Sequence, residues 1–177
     1  MTPLVIKADL DNYKYVADSV KNLTVWPQFV SEAQLFDLKS WLGDALLAEL
    51  EAQFVAVTLT PANTILLNGG TYVYKTKSYI FQGVKAAIIY YAFARYTNRS
   101  AVNYTAAGIV MKDSDLSTPV SDKVIQRLET EARLMADAIR DEVTVFLNRN
   151  YLDYPLWGGY NCCGLPERTR TFKVLGD

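Results

Sequence analysis

Catalysis and metal binding in proteins rest most often on histidine, and this chain has none. The commonest general base, proton shuttle and metal ligand is therefore missing, which excludes nucleophilic triads of the familiar kind. Cys162 and Cys163 are the only thiols. Without further cysteines or any histidine they do not complete a tetrahedral metal site within one chain, and two reduced thiols is the simpler reading. Asp113-Ser114-Asp115 begins like a calcium loop but lacks the glycine at the sixth position and the closing glutamate, so a solvated loop is expected. Gly69-Gly70 and Gly158-Gly159 read as turns, since neither lies in a glycine-rich run ending in Lys-Ser or Lys-Thr before a helix. Glu49 and Glu51, like Glu129 and Glu131, stand two apart on helical stretches and point in different directions, which suits exposed faces better than paired acid and base work. No cofactor, no metal and no enzymatic activity are expected.

The remaining candidates concern partners. Arg168, Arg170 and Lys173, interleaved with Tyr160 and Phe172, make a small basic footprint for nucleic acid. The same segment, with Thr169, Thr171, Val174 and Leu175, is better suited to adding a strand or clamp to a neighbouring protein. Trp157 in this arm, and Met111, Lys112 and Asp113 in an earlier loop, complete the candidate contact residues. Lys85 and Arg95 are the only charges within an otherwise apolar helix; they suit a buried polar site or a subunit contact, but long stems carrying the charge to solvent are the expected outcome.

These residues must be positioned by a mainly helical scaffold. With 177 residues, 50% of them hydrophobic and 21% charged, one domain with a proper core is expected. Its centre is the stretch Tyr79–Thr97, apolar on nearly every face, with Ile80, Val84, Ala87, Ile88 and Tyr91 in one stripe and Phe81, Ile89 and Phe93 extending it. Gln82 and Lys85 interrupt the stretch, so it reads as a core helix and not a membrane span. Before it, residues 9–20 fit a strand followed by a weak helix. Pro27 opens a helix with Phe29, Val30, Ala33, Phe36 and Leu35 inward, ending near Trp41. Gly43 stops or bends that helix, and Asp44 caps another carrying Leu46, Leu47, Leu50 and Phe54. A β-hairpin is expected near 64–76, turning at Asn68-Gly69.

After the central helix, residues 98–118 are rich in Asn, Ser, Thr, Asp and Gly and read as a long exposed connection. Thr118-Pro119 then opens a helix running to about Asn148, with Val120, Val124, Leu128, Ala132, Met135, Ile139, Val143, Phe146 and Leu147 on one side. At 1.5 Å per residue it is a rod of roughly 45 Å, long enough for part to face another subunit. Residues 1–150 form the helical domain, and 151–177 lose all periodicity and read as an extended arm. A net charge of -1 disfavours tight non-specific DNA binding. Residues 1–15 lack the features of a signal peptide, so a cytoplasmic protein is expected, in which the sequons at Asn22, Asn98 and Asn103 carry little meaning.

The order of landmarks resembles a known family. Glu32, Ala33 and Gln34 lead into Trp41-Leu42-Gly43; Leu66-Leu67-Asn68-Gly69-Gly70-Thr71-Tyr72 forms a turn; Gly83-Val84-Lys85 enters a helix holding Tyr90, Tyr91, Ala94 and Arg95. Thr105, Gly108, Ile109 and Val110 lie in the next loop, and the last helix ends in Phe146-Leu147 before Tyr154-Pro155. Together they resemble the head-to-tail adaptor, or connector, proteins of tailed double-stranded DNA phages, most of all the neck ring proteins of crAss-like phages. The resemblance implies a structural virion protein, assembled in the host cytoplasm, whose copies, commonly twelve, form a ring beneath the portal protein and join head to tail. Double-stranded DNA would pass through without specific binding, and other neck or tail proteins would be further partners. A neck stopper or tail-completion protein is the alternative, and a small helical enzyme or regulator is a more distant one.

Overall fold

The computed structural model describes residues 2–13, 25–100, 102–105, 108–111 and 121–158. They form a mostly helical bundle with two small antiparallel hairpins and a long C-terminal helix. In chain order the elements are α1 (Lys7–Asp11), α2 (Val25–Ala33), a π turn (Gln34–Leu38), α3 (Lys39–Leu42), α4 (Asp44–Ala56) and α5 (Pro61–Asn68). Then come β1 (Gly70–Tyr74), β2 (Lys77–Phe81), α6 (Gly83–Ser100), β3 (Val102–Thr105), β4 (Gly108–Met111), α7 (Asp122–Arg149) and a 3₁₀ turn (Tyr151–Asp153).

Helix α6 is the centre, as its composition demands. Val84, Ala86, Ala87, Ile88, Ile89, Tyr91, Ala92 and Ala94 are all buried, and the alanines let neighbouring helices approach closely. Its start differs from the expected Tyr79, because Tyr79–Phe81 belong to β2 and Gly83, at φ 80°, turns the chain from strand into helix. Ile80, placed in the core stripe by helical spacing, consequently lies on the outer face of a strand and is 81% exposed. Helix α7 packs along α6 in the opposite direction. The Phe81 and Phe146 rings stack at 4.1 Å and the Tyr91 hydroxyl donates to Asp137 Oδ1 at 2.6 Å, which fixes the antiparallel register. Ala132, Ala136, Ile139, Val143, Phe146 and Leu147 form the buried stripe. Continuing that register places the end of α6 opposite Leu128, so the first turns of α7 pass beyond it. This is why Val124 and Leu128, assigned to the apolar side by periodicity, are exposed; Met135, between the buried Ala132 and Ala136, is exposed because it projects off the covered stripe. The Thr118-Pro119 opening and Val120 lie outside the described residues.

The hairpin is present with a different turn. Thr60 accepts a hydrogen bond from the Asn63 amide at 3.1 Å and Pro61 occupies the first helical position, so residues 61–68 form a capped helix rather than a strand. Asn68-Gly69 ends that helix, with Gly69 at φ 78°, and the strand pair follows it, Gly70 opposite Phe81 and Tyr74 opposite Lys77. Lys75 and Thr76, at φ 47° and 68°, form the two-residue turn.

The π turn overturns another inward assignment. Its extra residue rotates the helix face, so Gln34, Leu38 and Leu42 point inward while Leu35 and Phe36 are exposed. Gln34 is fully buried and its polar groups are used: Nε2 donates to Thr2 O and Glu51 Oε1, each at 3.0 Å, and Oε1 accepts from the Leu4 amide at 2.8 Å. One side chain thus pins residues 2–4 to α4. Asp44 is the first residue of α4, capped by Gly43 at φ 80°. Residues 7–11 are a helical turn, not the expected strand, stabilised by the Ile6 amide donating to Asp9 Oδ2 at 2.9 Å. The expected open connection 98–118 begins with the last turn of α6 and then the β3–β4 pair, Val102 opposite Met111.

The first residues of the expected arm fold back onto the bundle. Tyr154 and Trp157 are buried; the Tyr154 hydroxyl donates to Ala62 O at 2.7 Å and the Trp157 indole to Asn148 Oδ1 at 2.9 Å. Deleting residues 151–177 is therefore expected to lower stability by several kcal/mol through loss of these two aromatic anchors.

Candidate interaction surface

The β1–β2 hairpin alternates its side chains between two faces. The inner face is aromatic. Tyr72 and Tyr79 stack at 5.5 Å, Tyr72 meets Phe146 edge-on at 4.9 Å, and Phe81 covers the other side of Phe146. Arg149, at the end of α7, lies 4.1 Å from the Tyr79 ring centre and 5.0 Å from that of Tyr74, and donates to the Tyr72 hydroxyl at 2.9 Å. This cation and ring cluster holds the hairpin on α7. The outer face carries Thr71, Val73, Ser78 and Ile80, all exposed, with Val73 68% exposed. At the opposite end of α7, Val124 and Leu128 continue the core stripe beyond its cover. About 20 residues of helix, or roughly 30 Å, separate the two apolar regions.

Charge pairs tie α6 to the elements before it. Arg95 bonds Asp37 Oδ2 through Nη2 at 2.8 Å and Nε at 3.2 Å, and Arg99 meets Glu32 Oε1 at 2.7 Å, joining α6 to α2 and the π turn. Lys85 reaches Asp9 at 3.1 Å and joins α6 to α1. The stems of Lys85 and Arg95 therefore do not run to solvent; both heads are mostly buried in pairs within the chain. Glu49 and Glu51 are also half-buried, Glu49 accepting from Gln53 and Asn63 and Glu51 from Gln34. Asp37→Asn, which leaves the guanidinium short of its counter-charge, is expected to cost about 2 kcal/mol, read as a fall in unfolding free energy by urea titration.

Burial, then the hydrogen bond to Asp137, pushes the Tyr91 phenol well above its ordinary value, and burial followed by the charge of Asp153 does the same for Tyr154. Both stay protonated in the fold after the unfolded chain begins to ionise. Their contribution is fully present below the ordinary value of 10.0 and is lost as pH rises through the raised folded values. Stability should therefore decline above about pH 10, and Tyr91→Phe should flatten part of that decline.

Of the contact residues named from sequence, Trp157 is in the core, where its indole is committed to Asn148. It is not a free contact. Met111 ends β4 opposite Val102. Lys112, Asp113, Tyr160, Arg168, Arg170, Phe172 and Lys173 lie outside the described residues. Val73 and Ile80 were missed, although their signal was present in the alternation of Thr71 and Val73 with Tyr72 and Tyr74. A groove of about 330 Å³ opens between α4, α5 and the chain after α7, lined by Leu46, Glu49, Thr60, Asn63, Asp153 and Leu156 among others. Among the described residues, no three His, Cys, Asp or Glu side chains cluster as a metal site, and no single helix is long and apolar enough to cross a membrane.

Residues 38–166 match the model of a family of unknown function, DUF6712. The chain belongs to that family. The matched span begins at the last residue of the π turn and takes in α3 to α7, both hairpins and the docked segment 151–158. No curated protein and no solved structure shows a significant match.

Proposed function

We propose that this DUF6712 protein is a structural virion protein of tailed phages, a head-to-tail adaptor whose copies form a ring between portal and tail through which DNA passes. The observation that carries this reading is the pair of unlike apolar regions at the two ends of one long helix: Val73 and Ile80 on the hairpin, and Val124 and Leu128 at the start of α7. Unlike patches at opposite ends favour head-to-tail contact between copies, which closes into a ring when the rotation permits. The resemblance of the landmark order to connector proteins suggests the particular setting, the virion neck, after assembly in the host cytoplasm. A net charge of -1 suits a channel that DNA crosses without adhering.

Native mass of the purified chain, alone and mixed with the portal protein of the same phage, tests this. The expected result is a monomer or weak oligomer alone and a large multi-copy complex with portal. A small mass in both samples would overturn the adaptor reading and favour a stopper or tail-completion protein. In the same assay Ile80→Asp should reduce complex formation at least tenfold while leaving the helical circular dichroism unchanged, because Ile80 lies on the outer face of its strand, away from the core.

A further inference from the structure

The groove between α4, α5 and the end of the chain has the chemistry of a receptor for a basic segment. Its floor is apolar, with Leu46 and Ala62, and its rim is apolar at Pro155 and Leu156. Two carboxylates stand in this lining, Glu49 and Asp153, with the Thr60 hydroxyl beside them. The Glu49 carboxylate is held in place, since its Oε1 accepts from Gln53 at 2.8 Å and from Asn63 at 3.2 Å. Asp153 is exposed and free to meet a cation. An arginine or lysine side chain matches such a site, its aliphatic stem lying along leucine and its charged head meeting the carboxylates.

The chain supplies a complementary segment. Within residues 159–177, Arg168, Arg170 and Lys173 alternate with Thr169, Thr171 and Phe172, and the acidic residues Glu167 and Asp177 stand outside this basic run. The described chain passes the groove at Asp153–Leu156 and then leaves it, because Trp157 anchors to Asn148 on α7. Extended backbone from Gly158 reaches about 33 Å to Arg168 and about 50 Å to Lys173, against a domain roughly 40 Å across. We propose that the groove receives the basic C-terminal segment, Arg168 to Lys173, of a neighbouring copy. This deepens the adaptor reading and rests on it, since it gives each copy an arm and the adjacent copy its socket.

A fluorescein-labelled peptide of residues 159–177, titrated under reducing conditions into the full-length chain at low salt and followed by anisotropy, tests the proposal. Saturable binding is expected. Asp153→Lys should weaken it at least tenfold, as should a peptide carrying Arg168→Glu, Arg170→Glu and Lys173→Glu, and the changed peptide should bind the Asp153→Lys chain better than the native peptide does. Leu156→Lys, on the exposed rim, is the second variant should Asp153→Lys fail to fold. Absence of saturable binding, or binding indifferent to both rim variants, would overturn the proposal. So would a full chain bearing the three glutamates that takes the native peptide tenfold more tightly than the native chain, since that places each arm in its own groove. The titration needs no portal, so failure of the groove and failure of the ring are read separately.

Discussion

Replacing Gly83 by alanine should leave the chain unfolded or lower its unfolding free energy by at least about 4 kcal/mol, among the largest effects a single substitution has. Two causes act together. Gly83 sits at φ 80°, where a side chain costs about 1–2 kcal/mol. A Cβ there would also run into the backbone of Gly69, Asn68 and Leu67, and one on Gly69 would run into Phe81 and Gln82. The end of α5 and the start of α6 are pressed backbone to backbone, and neither can yield. Gly43 separates the causes: it has the same φ of 80° and nothing within 4 Å of an added Cβ. Gly43, at φ 80° and ψ 159°, lies where side chains are rarely accommodated, so Gly43→Ala should cost about 1–3 kcal/mol from strain alone. Urea titrations of both variants provide the measurement, and equal losses would show that dihedral strain alone governs the two sites.

Phe146→Ala is the second large effect, with an expected loss of about 3–5 kcal/mol. Phe146 is buried at the meeting point of α7, the hairpin and the docked C-terminal segment, in ring contact with Phe81, Tyr72 and Tyr154. Its removal leaves a cavity that three separate elements would have to close. Against a total of about 5–15 kcal/mol for a domain, this is a fifth of the stability or more. Val145→Ala, one position along on a side 43% exposed, should cost under about 1 kcal/mol. Comparable losses at the two positions would refute the assigned face of α7. The hairpin should loosen with Phe146→Ala, because Tyr72 and Phe81 lose the ring they pack on, and its amide protons should exchange faster than those of α6.

Both variants depend on contacts between segments distant in sequence, and that is where the reading of the residues and the structure part. The central and C-terminal helices were legible because each is written in its own stretch: many apolar residues at spacings of three and four, glycines at the stops, no need of a partner to choose the conformation. The same local logic identified Gly43 as a break and a hairpin near Gly69. It misplaced the hairpin's turn because Asn68-Gly69 ends a helix as readily as it turns a strand, and the Thr60-Pro61 cap upstream decides between them. The candidate contacts were less legible. Trp157 read as part of a free arm, since its burial depends on Asn148 and on a docked turn with no periodic signature.

Composition and periodicity by themselves determined a helical domain without histidine chemistry, the two long helices and the apolar stripe of α7, because these follow from interactions within a few residues of each other. Tertiary structure alone decided which parts of that stripe are covered, since α6 ends opposite Leu128. It also decided that the π turn buries Gln34 in place of Phe36, and that Lys85 and Arg95 stay inside. Each of these turns on a partner supplied from elsewhere: Asp9 lies 76 positions from Lys85, and Asp37 lies 58 from Arg95. A charge on an apolar helix is paired or solvated according to what the fold brings against it, and spacing along the chain carries no record of that.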